Sequence, residues 1–322
     1  MDGPVIGIAT AEICFLHWPH PISSFEEMHM QVRTTVLYAA LSLACLASAH
    51  ADTLDKVAQS GQITLAYRES SVPFSYLNQS KPAGISVDIS NAVVEAVKKA
   101  TGKNDIKVNW QAVTSQNRIP LLTNGTIDLE CGSTTNNTTR GKDVDFAINH
   151  FYTGTRLLVK KSSGIKNYSD LKGKTVAVTS GTTNLQVMRK ANAENNWGID
   201  MVHPKDHADA FLLVESDRAS AFAMDDILLY GLIANAKNPG DYEVVGDALQ
   251  VEPYACMLRK DDPKFKALVD GVISDMMKSG QFTQLYDKWF VQPIPPSNMA
   301  LNLPMSEQLK QNLVELSDKP AF

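Results

Sequence analysis

The run from Thr114 to Arg140, TSQNRIPLLTNGTIDLECGSTTNNTTR, sets Arg118 and Arg140 among a crowd of hydroxyls and amides. A guanidinium is a fixed fork of donors that grips a carboxylate or phosphate bidentately, and short Ser, Thr and Asn side chains add donors that reach only a few ångströms. The chemistry implied is the capture of a small anion.

Other chemistries are poorly supplied. The GKT at Gly173 lacks the earlier glycine of a phosphate loop, since Tyr168 stands there, and a strand pattern follows it. His203 and His207 have helical ligand spacing, but Pro204 intervenes and no third ligand is evident. There is no G-x-S-x-G elbow and no G-x-G-x-x-G. No catalytic residue, metal or cofactor is expected.

The elements that must position these residues alternate along the chain. QITLAYRES alternates as a half-buried strand, and DISNAVVEAVKKATG puts Ile89, Ala92, Val93, Ala96 and Val97 on one helical face, with Gly102 as its stop. IKVNWQAV is the next strand, a helix follows from a Ser115 cap through Leu122 and ends near Gly125, and TIDLEC is a third strand. The rhythm resumes in KTVAVTSGTTNLQVMRKA and SAFAMDDILLYGLIANA, with GTRLLVKK expected to cross between the units and EPYACMLRKDD to return. Such alternation implies α/β architecture with mostly parallel sheets. Arg68, Ser115, Arg118, Ser133, Thr135, Ser180, Thr183 and Asp225 all fall at strand ends, where open α/β sheets bind ligands. The pattern after Asp262 ends at PIPP, and the tail is expected to lie over the surface.

The whole chain has 322 residues, 44% of them hydrophobic and 20% charged, which suits two domains. A formal net charge of -5 gives no general attraction for nucleic acid or anionic lipid. From Met30 a secretory leader is expected: Arg33, the apolar stretch Val36 to Leu46, then Ala49-His50-Ala51, with cleavage after Ala51. Residues 1–29 read as an upstream extension. Cleavage would remove Cys14 and Cys45 and leave Cys131 and Cys256 in an oxidising compartment. The two are expected to pair, the other reading being two separate buried thiols.

RESSVPFSY, TSQNRIPLL, ECGSTTNNTTR, DLKGKTVAVTSGTT, KDHADAF, MDD, CMLRKDDP and DKWF followed by QPIPP resemble the periplasmic glutamate/aspartate-binding proteins that feed ABC importers. The resemblance implies a two-lobed, hinged, type II periplasmic-binding-protein (Venus-flytrap) fold of mixed, mostly parallel sheets. One lobe would comprise residues 52–153 and 253–322, the other 154–252, with Thr155-Arg156 and Glu252-Pro253 near the crossing strands. It implies that Arg140 takes an α-carboxylate with Ser133, Thr135 and Thr183, and that Asp225 takes the α-ammonium. Arg68, Ser115 and Arg118 would meet the side-chain carboxylate, with His207 completing the pocket from the opposite lobe. Three arginines against Asp225 put this pocket near +2, suited to an acidic amino acid. The implied partners are glutamate or aspartate and an inner-membrane permease, for a monomer in the periplasm. Two other readings are an exported dehydratase-like enzyme on the same scaffold and a sensory input domain.

Overall fold

The computed structural model describes residues 52–321. The upstream extension, the leader, its cleavage site, Cys14 and Cys45 lie outside them. Two five-stranded sheets organise the chain. The first has the order Lys107–Ala112, Gln62–Tyr67, Leu129–Glu130, Met257–Arg259, Val144–Phe146. Its first three strands are parallel, and Met257–Arg259 returns antiparallel to both of its neighbours. The helix Ile85–Thr101 makes the first crossover, burying Ile85, Val87, Ile89, Val93, Val94 and Val97 and ending where Gly102 adopts φ 68°. Burial of that apolar face outweighs the modest helix propensity of its β-branched valines.

The second sheet has the order Asp200–Val202, Thr175–Ala177, Ala221–Asp225, Thr155–Lys160, Tyr242–Val245. Thr155–Lys160, the core of GTRLLVKK, is an interior strand of this sheet, antiparallel to both neighbours. It therefore does not cross between the sheets. Crossing falls to a short antiparallel ribbon, Phe151–Thr153 against Glu252–Tyr254. Aromatic rings anchor that ribbon: Phe151 stacks on Phe290 at 5.0 Å between centroids, and Phe74 meets Phe151 edge-on at 4.9 Å. The DKWF segment thus pins the ribbon from below, which gives a reason for its apolar residues so late in the chain.

Cys131 and Cys256 flank the neighbouring strands Leu129–Glu130 and Met257–Arg259, and their sulfurs are bonded at 2.06 Å. The bond joins the outgoing and returning parts of the first sheet across 125 residues of chain.

The tail is more than a surface covering. Its helix Glu307–Glu315 buries Leu309 and Asn312. Beyond it, the carbonyls of Ser317, Asp318 and Lys319 accept from Asn149 N, Asn136 Nδ2 and Asn149 Nδ2. Side-chain amides have satisfied an otherwise irregular backbone, and the tail is tied to the loop that leads into Arg140. No helix among the described residues is long and apolar enough to cross a membrane.

Candidate functional site

The two sheets present their strand ends to each other around a narrow, partly open gap. Its walls carry Ser115, Arg118, Ser133, Thr135 and Arg140 from the first half of the chain, and Thr182, Thr183, Asn184, Met224 and Asp225 from the second. Seven of the nine expected site residues line it. Arg68 and His207 do not; they meet each other beside it, Arg68 Nη2 lying 3.2 Å from His207 Nε2.

Local geometry explains why these side chains are available. The turn before Arg118 is closed by Thr114 and Asn117, each accepting the other's backbone N–H at 3.3 and 2.8 Å respectively. Asn117 occupies the cap position of the helix Arg118–Thr123. Ser115 is therefore not the cap, and its side chain faces the gap. On the other wall Thr182 caps the helix Thr183–Asn195, accepting from Leu185 N at 3.3 Å. The free N–H groups of that first turn carry the positive end of a helix dipole. Asp226, not Asp225, accepts the N–H of Ile227 at 2.7 Å and the hydroxyl of Thr153 at 2.7 Å, which leaves Asp225 to the gap.

The arginines are held differently. Arg118 donates from Nη1 to Ser133 O at 3.0 Å and to Thr134 Oγ1, and stands 3.7 Å from Glu130 Oε1. Burial lowers its pKa to about 9; Glu130 opposes that shift, while the nearby charges of Arg140 and Arg68 add to it. Arg68 is fully buried, with Nη2 3.3 Å from Asp206 Oδ1. Its Nε and Nη1, and Nε of Arg118, are buried donors without a hydrogen-bond partner. Arg140 reaches across from the rim, donating to Thr135 O at 2.9 Å and to Gly181 O at 3.4 Å.

His207 opens the helix His207–Glu215 behind Asp206. Burial and then Arg68 push its pKa down to about 3, so the ring is neutral. Arg68 can only donate, so Nε2 accepts, and the proton sits on Nδ1, 3.0 Å from Thr179 Oγ1.

The expected +2 pocket is overturned. Four buried carboxylates stand against the three guanidiniums: Glu130, Asp206, Asp225 and Glu252. Burial, with Glu252 second, raises the pKa of Asp225 well above the ordinary carboxylate value, and Tyr254 and Asn184 donate to it. Any preference for an acidic molecule must therefore come from where the charges sit rather than from their sum. Glu130, Asp206, Asn184 and Glu252 were missed in the sequence. For Glu130 and Glu252 the available signal was a carboxylate among apolar residues, in IDLEC and VEPYAC; Asp206 and Asn184 stand in polar stretches that gave none.

Interleaved donors from two facing sheets, joined by a two-strand ribbon, define a two-lobed solute-binding protein. The chain belongs to the bacterial extracellular solute-binding proteins, family 3, whose model matches residues 63–292. It is 49% identical over 290 residues to the L-glutamate/L-aspartate-binding protein of Pseudomonas aeruginosa, covering 89% of this chain and 96% of that one. The glutamate/aspartate import solute-binding protein of Escherichia coli strain K12 is 49% identical over 299 residues, covering 90% and 99%. Among solved structures, a Streptococcus pneumoniae ABC uptake transporter substrate-binding protein with bound histidine superposes with a TM-score of 0.65 at 26% identity, covering 74% of this chain and 96% of that one. An ancestral amino acid-binding protein, a precursor of cyclohexadienyl dehydratase, gives 0.63 at 28% identity, covering 74% and 99%. The fold is the type II periplasmic-binding-protein fold.

Proposed function

We propose that this chain captures L-glutamate or L-aspartate between its lobes and delivers it to an ABC importer in the inner membrane. The observation that carries this reading is the polarity of the gap: unpartnered guanidinium N–H groups of Arg68 and Arg118 lie beside it on one lobe, and Asp225 faces it from the other. Names of the relatives at 49% identity support the same ligand class. Arg140 and the N–H groups opening the helix Thr183–Asn195 would take the α-carboxylate, with Ser133 near them. Asp225 would take the α-ammonium. Arg118, Arg68 and Ser115 would hold the side-chain carboxylate, and His207 would brace Arg68.

Charge-assisted hydrogen bonds contribute roughly 1.5–3 kcal/mol each, and micromolar binding needs about -8 kcal/mol, so this donor set suffices after ordering costs. The lobes would comprise residues 52–153 with 253–322, and residues 154–252, moving about the Phe151–Thr153 and Glu252–Tyr254 ribbon. Export with cleavage after Ala51, action as a monomer and the absence of catalysis belong to the same reading.

Thermal denaturation of refolded mature chain with L-glutamate, L-aspartate, L-glutamine or L-histidine tests it. A ligand at 100 times its dissociation constant adds about 2.7 kcal/mol of stability. Stabilisation by the two acidic amino acids is expected; a response only to L-glutamine or L-histidine, or to none, would overturn the ligand assignment.

A further inference from the structure

Glu252 is fully buried in the crossing ribbon, and it does not itself line the gap. Its Oε2 accepts from Thr135 Oγ1 and from Thr183 Oγ1, each at 2.5 Å, and its Oε1 accepts from Gln250 Nε2 at 2.5 Å. The two threonines come from opposite lobes, and both face the gap. Their oxygens are 3.3 Å apart.

A threonine hydroxyl has one proton and two acceptor lone pairs. Between a neutral hydroxyl at 3.3 Å and a carboxylate at 2.5 Å, the charge-assisted bond takes the proton. With both protons directed to Glu252, Thr135 and Thr183 can offer the gap only lone pairs. They are then acceptors, matched to a cationic N–H and mismatched to a carboxylate oxygen. So oriented, the hydroxyls would not assist Arg140 in holding a carboxylate, the role the resemblance implies for them.

We propose that Glu252 is a positioning residue that selects for an amino group, by holding the Thr135 and Thr183 protons so that both hydroxyls accept from the ligand ammonium beside Asp225. The proposal rests on the amino-acid reading of the gap. Electrostatics agree with it, because Glu252 and Asp225 are close enough for Glu252 to raise the Asp225 pKa, and a cation between them relieves that repulsion.

The test has two arms. A crystal structure of the mature chain with L-glutamate should place the amino nitrogen within hydrogen-bond distance of Thr135 Oγ1 and Thr183 Oγ1. The tetrahedral amino carbon and the planar carboxylate are distinguished by shape. Calorimetry on Glu252→Gln and on Thr135→Val should then show L-glutamate bound at least tenfold more weakly, with glutarate, which lacks the amine, changed less than twofold. A ligand carboxylate oxygen seated against the threonine pair, or equal losses for glutamate and glutarate, would overturn the role of Glu252 and leave the functional reading intact. Failure of the unsubstituted chain to bind L-glutamate or L-aspartate would instead remove the functional reading, and this proposal with it.

Discussion

Arg68, at the end of the first sheet's Gln62–Tyr67 strand, and His207, at the start of a helix on the second sheet, meet across the cleft with Nη2 and Nε2 3.2 Å apart. Ser70 and Asp206 extend the same seam, the Ser70 hydroxyl donating to Asp206 Oδ1 at 2.8 Å. The two lobes are thus joined beside the gap by side chains that also orient its donors.

Arg118→Ala should damage folding as well as binding. Removing a guanidinium that faces Glu130 leaves a buried carboxylate unpaired, a loss of about 3–5 kcal/mol. Arg118→Lys keeps the charge and loses the fork, so it should cost less stability while still weakening L-glutamate more than tenfold. Urea denaturation and calorimetry on both variants separate the two effects; unchanged affinity in Arg118→Lys would remove Arg118 from the ligand.

Arg140→Ala should behave differently. Its partners are two carbonyls, the farther one at 3.4 Å, and part of its side chain meets solvent, so stability should fall by about 1.5–3 kcal/mol, with no buried carboxylate left unpaired. Every α-amino acid that binds should weaken alike, by one to two orders of magnitude. Selective loss of acidic ligands alone would mean that Arg140 and Arg118 have exchanged roles.

Gly231→Ala tests closure without touching the gap. A Cβ there would collide with the backbone carbonyl of Val72, although within its own helix alanine is the better residue by about 1 kcal/mol. The chain should fold but close poorly, with ligand affinity down at least tenfold. Small-angle scattering should show a smaller ligand-induced compaction than in the unsubstituted chain.

Acid should destabilise the chain through two buried imidazoles. His207 is held near pKa 3, and burial alone holds His150 near 4, with neither ring nitrogen of His150 hydrogen-bonded. Both pKa values lie below the unfolded value of 6.5, so the unfolded chain binds more protons. Stability should fall as pH drops from 6.5 toward 4, by up to about 1.4 kcal/mol per unit for each histidine. Asp225 acts with the opposite sign above pH 3.8, because its pKa is raised. His150→Met should flatten the acid limb of the denaturation profile; an unchanged slope would show that His150 is not the sensor.

Replacing Cys131 and Cys256 together by alanine should lower stability by about 2–5 kcal/mol, since the bond closes a loop of 125 residues. Because it lies within one sheet, ligand affinity should hold within a few-fold. Denaturation and calorimetry on the double variant check both.

The sequence by itself determined the α/β alternation, because burial on a helix face and along a strand leaves distinct periods of apolar residues. Gly102 as a stop and the strand ends bearing Arg118, Thr183 and Asp225 were legible for that reason. The resemblance carried by its motifs supplied the roles expected of those residues. What tertiary structure alone decided were the partners of buried charge. Glu130, Asp206 and Glu252 lie up to 138 residues from the groups they meet, and no local period records such a pairing. The fate of GTRLLVKK was equally hidden: an apolar strand reads the same whether it crosses between sheets or sits inside one. The direction of the Thr135 and Thr183 protons was set in the same way, by a carboxylate that arrives on a different strand.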